Sequence, residues 1–225
     1  MICSDSEDGN DGLSLHELVV IANDSKAKSR IIVLDSCHAG IAGNVKPDEE
    51  HTNINIGVTI LTASTMKQYA AEENGSGLFT SLFVDALNGG AANLLGDVTP
   101  GSVYAHIDQS LGPWDQRPMF KTNVSTFTSL KRVQPPISLD TLKKLREYFE
   151  APGTEHSLDP SYEPDSPSPD EDKNAIFADL QEMVKVNLVR PQGETHMYFA
   201  AINSKSCKLT VLGEHYWKLL NAGVI

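Results

Sequence analysis

Asp35, Ser36, Cys37 and His38 stand directly after the run Ile31-Ile32-Val33-Leu34. A carboxylate, a thiol and an imidazole within four positions could do nucleophilic chemistry. A thiol attacks a carbonyl only as its thiolate, and its pKa of about 8.5 must first be lowered by a cation, an imidazolium or a helix N-terminus. His38 is poorly placed to do this, because adjacent residues of an extended segment point in different directions. Asp35 would hold a cationic side chain by a charge-assisted contact. Taken alone, Cys37 reads more readily as a small buried apolar residue, the commoner fate of a lone cysteine. A zinc site from Cys37, His38 and His51 lacks any paired C-x₂-C or H-x₃-H spacing.

Several elements must position these groups. Four branched aliphatics in a row read as a strand buried on both faces, as in a parallel sheet covered by helices. In open α/β sheets, ligands bind beyond the carboxyl ends of the strands, so the site is expected where this strand stops. Ala39, Gly40 and Gly43 leave room for a close approach there. Upstream, Ser14 and Glu17 form a capping-box pattern that opens a helix to about Asn23, with Leu15, Leu18, Val19 and Ala22 on its buried side. Val58 to Ala63 reads as a second buried strand, ending in Ser64-Thr65. Leu78 to Leu87 reads as an amphipathic helix stopped by Gly89-Gly90. Thr99-Pro100 opens another helix, with Val103, Ile107 and Leu111 as its stripe. The segments 116–121 and 126–131 read as the last strands, and Pro118 favours an edge.

The composition is that of an ordinary globular chain: 225 residues, 40% hydrophobic, 21% charged, with a formal net charge of −12. That charge disfavours nonspecific nucleic-acid binding. No run approaches the roughly 18 apolar residues of a membrane span and no signal-peptide pattern opens the chain, so a cytoplasmic location is expected. Cys3, Cys37 and Cys207 are scattered and odd in number, which suits a reducing compartment. The acid-rich stretch Ser4 to Gly12 lacks the D-x-[DN]-x-[DN]-G spacing with its late Glu, so it reads as a solvated turn; no cofactor is expected, and calcium activation stays open without a clear motif behind it.

Asp35-Ser36-Cys37-His38-Ala39-Gly40 after an aliphatic strand resembles the D-x-C-H-[SA]-G signature of the caspase-like cysteine peptidases, in particular their bacterial and metacaspase-type branch. The resemblance covers about residues 1–133. It implies Cys37 as nucleophile and Asp35 as the acidic residue of the pocket that takes the Arg or Lys before the scissile bond. It implies Ser64, at the end of the second strand, as a substrate-groove residue, and the loop Asn44 to Asn55, with Lys46, as a connector open to self-processing. In caspases the catalytic histidine lies about 50 residues upstream of the cysteine. Only 36 residues precede Cys37 here, and the one upstream histidine, His16, falls inside the helical pattern. No residue of this sequence matches that histidine. The sheet is therefore expected to be incomplete on its N-terminal side, with the histidine supplied by an upstream segment or a partner.

From Glu147 to Asp172 the chain carries nine acidic residues, five prolines and no Lys or Arg. Such a composition reads as a flexible linker. Beyond it, Ala175 to Val189 is expected to be a helix, Met197 to Ala201 a strand, Asn203 to Cys207 a turn, Lys208 to Thr210 a strand and Val211 to Leu220 a helix. Helix, hairpin and helix resemble a small winged-helix module. Lys205, Lys208 and Lys218 could meet phosphates, but six Lys/Arg against four Asp/Glu from Lys173 to Ile225 is a thin surplus, and a protein contact is the safer reading. Met197, Tyr198, Phe199 and Trp217 are expected in its core.

The expected fold is thus α/β: a caspase-like three-layer sandwich with a mostly parallel sheet over 1–133, a closing helix within 134–150, an acidic Pro-rich linker at 151–172 and a winged-helix-like α+β domain at 173–225. The expected function is a cysteine endopeptidase acting on protein or peptide substrates after basic residues. The alternative is an inactive caspase-like scaffold whose C-terminal module binds a partner protein.

Overall fold

The computed structural model describes residues 13–35, 53–63, 72–73, 76–112 and 117–225. The chain divides into two compact units, Met1–Gln134 and Pro135–Ile225.

In the first unit, α1 (Leu15–Asp24) leads into β1 (Arg30–Leu34), and β2 (Val58–Thr62) follows. Two-residue strands β3 (Glu72–Glu73) and β4 (Ser76–Gly77) precede α2 (Leu78–Asp85), which runs into a π turn, Ala86–Gly90. Then come β5 (Asp97–Val98), α3 (Pro100–Ser110), β6 (Met119–Asn123) and β7 (Lys131–Arg132). The caps are those the sequence foretells. Ser14 and Glu17 close a capping box on α1, and Thr99 caps α3 with Pro100 in the first turn.

The main sheet has the order β1-β2-β6. β1 and β2 are parallel, with Arg30 opposite Val58 and Leu34 opposite Thr62, while β2 and β6 are antiparallel. Among the described residues the sheet is therefore mixed rather than mostly parallel. β2 is buried at all five positions, because neighbours flank it on both sides and helices cover both faces. Val58 and Ile60 pack with Leu34 and Val19 of α1, whereas Leu61 and Ala63 pack with Phe79 of α2 and with Val103 and Ile107 of α3. β1 corrects the expectation of burial on both faces. Only Leu34 is buried, and Val33 is 39% exposed, because among the described residues β1 has a partner on one side alone. The strand expected over 126–131 shortens to β7, and Phe127 instead lays its ring over Gly101.

The second unit holds α4 (Leu139–Lys143), α5 (Leu145–Tyr148), β8 (Glu155–Ser157), a 3₁₀ turn at Pro160–Tyr162, α6 (Glu171–Lys185), β9 (Val189–Gln192), α7 (Met197–Ile202), β10 (Ser206–Leu209) and α8 (Val211–Asn221). Its antiparallel sheet has the order β8-β10-β9, with Pro191 tolerated because β9 is an edge.

Several expectations fail in this unit. The stretch 151–172 is not a loose linker: β8 pairs with β10, and Leu158 and Tyr162 are buried. Its acids serve locally as caps. Asp159 accepts from the Ser161 backbone at 2.9 Å and from Lys173 Nζ at 2.7 Å, and Asp170 caps α6. Met197 to Ala201, expected as a strand, is helical in α7. β9 and β10 are consequently joined through a helix rather than by the hairpin turn of a winged-helix module. Met197 is buried as expected, but Tyr198 and Phe199 are 47% and 50% exposed. The Leu212-Gly213 step of α8 has a packing reason, since a Cβ on Gly213 would lie 2.0 Å from the carbonyl oxygen of Leu188.

Lys173, with Ser161 adding to it, holds the Asp159 carboxyl down to about 2. Its folded pKa lies below the unfolded value of about 3.9, so its stabilisation is present above that pH and is lost as pH falls toward 2. The urea midpoint of this unit is expected to drop between about pH 4 and 2, and Asp159→Asn to flatten part of that drop. An unchanged pH profile in the variant would contradict the pairing.

Candidate active site

The described part of the site is the carboxyl end of β1. Parallel pairing carries past the last strand residue, as the Ala63 N–H donates to the Leu34 carbonyl at 2.9 Å. Asp35 and Ala63 therefore leave the sheet from adjacent strands and at the same end. The opposite end is tied with equal care. Arg30 donates through Nη1 to the Ser25 and Ala27 carbonyls, both at 2.8 Å, and through Nη2 to the Ile56 carbonyl. Gly57 turns the chain into β2 at φ +91°, where a Cβ would lie 2.3 Å from the Lys28 carbonyl oxygen, so only glycine fits.

Asp35 meets the start of α2. The Thr80 hydroxyl donates to its Oδ2, and the carboxylate lies against Gly77, whose added Cβ would stand 3.3 Å from Oδ2 and 3.5 Å from Oδ1. Phe79, buried in the core beside Leu61 and Ala63, anchors α2 and so presents the next residue, Thr80, to the strand end. α2 has no side-chain cap of its own, and its first turn carries no acid. A carboxylate from β1 supplies the negative charge that a helix N-terminus favours.

Of the three site residues expected from sequence, the structure describes Asp35. Cys37 and Ser64 lie outside the described residues, as do His38, Lys46 and His51. His16 is on the exposed first turn of α1. The other histidine described in this unit, His106 on α3, sits with its Nε2 2.8 Å from Asp85 Oδ2 at the end of α2. A Cβ on Gly90 would lie 2.7 Å from both side chains, so that pair also needs a glycine beside it. Both histidines are on helices, and neither follows a strand of the sheet. Sequence reading missed the Asp85–His106 pair, because its 21-residue separation has no local signature. It also missed the Thr80 contact, because 45 residues separate Thr80 from Asp35. Among the described residues no group of three or more His, Cys, Asp or Glu could hold a metal ion, and no helix is long and apolar enough to cross a membrane.

Comparison of the chain with protein-family models, with curated proteins and with solved structures finds no match. The reading of the site rests on its residues and their geometry.

Cys207, in the second unit, is the contrasting thiol. It is fully buried in β10, and burial, with the charge of Glu155 adding to it, pushes its ionisation up to about 12. As a neutral thiol it is a poor nucleophile at ordinary pH. Brief alkylation of the native protein at pH 8 is expected to leave Cys207 unmodified, and alkylation in denaturant to modify it. Peptide mapping that finds native Cys207 alkylated would overturn this assignment.

Proposed function

We propose that the chain carries the nucleophile and specificity residues of a caspase-like cysteine endopeptidase that cleaves after Arg or Lys in the cytoplasm. The observation that supports the reading is the parallel β1–β2 pair, whose aligned carboxyl ends bring Asp35 to the mouth of the sheet two residues before Cys37. The caspase-like sandwich is the fold that goes with it, and α1 on one face of the sheet with α2 and α3 on the other are compatible with such layers.

In this reading the side chain before the scissile bond enters toward Asp35, which selects a cation. The Cys37 thiolate attacks the scissile carbonyl carbon, and the π electrons of the carbonyl move to oxygen as an oxyanion. Collapse of that intermediate breaks the C–N bond, and the departing nitrogen takes a proton. Water then hydrolyses the thioester, which releases the carboxylate product and returns the thiol. Ser64 lines the groove. The proton passes through a histidine in the family, and neither described histidine of this unit lies at a strand end, so the shuttle is a group outside those residues.

The exposed Tyr198 and Phe199 on α7 support a second reading, a non-catalytic scaffold whose C-terminal unit contacts a partner protein. One experiment separates the two. A peptidyl-arginine acyloxymethyl ketone is expected to label Cys37, and Cys37→Ala is expected to abolish both labelling and peptide cleavage while leaving the circular dichroism spectrum unchanged. Cleavage retained in Cys37→Ala would sink the nucleophile assignment. Absence of labelling in the wild-type chain would favour the scaffold.

A further inference from the structure

We infer that Thr80 is a positioning residue that fixes the plane of the Asp35 carboxylate so that the site takes arginine in preference to lysine, with Gly77 providing the space for it; the inference rests on the endopeptidase reading above. The side chain of an aspartate is soft about its last torsion, where rotation is broad rather than confined to three wells. At Asp35 that rotation is restrained from one side. The Thr80 hydroxyl donates to Oδ2, and the carboxylate occupies the space beside Gly77, where an added Cβ would stand 3.3 Å from Oδ2, 3.5 Å from Oδ1 and 3.8 Å from Cγ. Gly77 has φ −62° and ψ 136°, an extended conformation open to any residue. The backbone there makes no demand for glycine, and an added methyl would crowd Oδ2 by a few tenths of an ångström.

The elements that hold these two residues are fixed independently of any substrate. Phe79 sits between them in sequence and is 7% exposed within the core formed by Leu61, Ala63 and Val103, so α2 cannot roll away from β1 without opening that core. Asp35 is held from its own side by the bond between the Leu34 carbonyl and the Ala63 N–H. One hydroxyl bond leaves the carboxylate with its remaining acceptor sites, since each oxygen can accept twice.

A carboxylate of fixed plane discriminates between the two natural cations. A guanidinium presents two parallel N–H groups in a rigid fork and gains a second hydrogen bond only when both oxygens lie in its plane. An ammonium is a point charge on a flexible stem and is indifferent to that plane. Thr80 thereby acts on substrate through Asp35 and touches no reacting atom.

The test compares matched peptides with Arg or Lys before the scissile bond, cleaved by wild type, Thr80→Val, Thr80→Ser and Gly77→Ala. Thr80→Val is expected to raise KM for the Arg peptide about tenfold, the equivalent of one hydrogen bond, with kcat little changed. It should also bring the Arg/Lys ratio of kcat/KM toward one. Thr80→Ser keeps the donor and is expected to keep the ratio, which shows that loss in the valine variant is not loss of folding. Gly77→Ala is expected to lower the ratio as well. An Arg/Lys ratio unchanged by Thr80→Val overturns the inference and leaves the peptidase reading standing. If the wild-type chain cleaves neither peptide, the peptidase reading fails and calorimetry with agmatine and cadaverine decides the positioning role. Agmatine binding that Thr80→Val weakens about tenfold and Thr80→Ser preserves supports it; equal binding in all variants, or none in wild type, overturns it.

Discussion

The parallel pairing of β1 with β2 is the constraint on which the first unit depends. Parallel strands cannot be joined by a tight turn, so the chain must travel away and return between Leu34 and Val58, and both carboxyl ends open on the same side of the sheet. Arg30 and Gly57 secure the amino ends, and the bond from Ala63 to Leu34 extends the ladder one residue beyond the strands. A one-residue slip would turn Leu34 out of the core and carry Asp35 away from α2. Register thus connects packing to chemistry: the alternation that buries Val58 and Ile60 on one face and Leu61 on the other is the same alternation that sets where Asp35 emerges.

Asp35 answers two demands. It stands where α2 lacks a cap, so it contributes to the helix, and it stands at the strand end, where the proposed peptidase would take the cationic side chain of its substrate. The two are compatible because a carboxylate has more acceptor sites than Thr80 uses. The second unit uses its acids differently. Asp159, Asp170 and Asp179 are taken up by Ser161 and Lys173, by the start of α6, and by Lys144 with Tyr148, so that charge density which reads as disorder in composition is spent within the fold.

What could be read from the sequence was local. The caps at Ser14 and Thr99, the buried VTILT strand and α8 were legible because caps and periodicity act over a few residues. Burial of β1 was overread, since an aliphatic run reports affinity for a core and not the number of neighbouring strands. The acidic stretch was misread because composition averages over the two residues, Leu158 and Tyr162, that anchor it; Asp159-Pro160, a cap followed by proline, was the available signal of order. Met197 to Ala201 misled because a short apolar run does not distinguish strand from helix. At the strand end, the place of Asp35 directly after β1 was legible from the aliphatic run. Thr80 and Gly77 were not assignable to it, because 45 residues separate Thr80 from Asp35 and only the fold closes that distance.

The most direct test of the central claim is to incubate the full chain with a diverse peptide library and read the new carboxyl termini by mass spectrometry. The expected result is a set of termini dominated by Arg and Lys that vanishes when Asp35 is replaced by Asn. Termini at other residues, or the same basic termini with Asp35→Asn protein, would contradict the assignment of Asp35 and Cys37 to a cation-selective peptidase site.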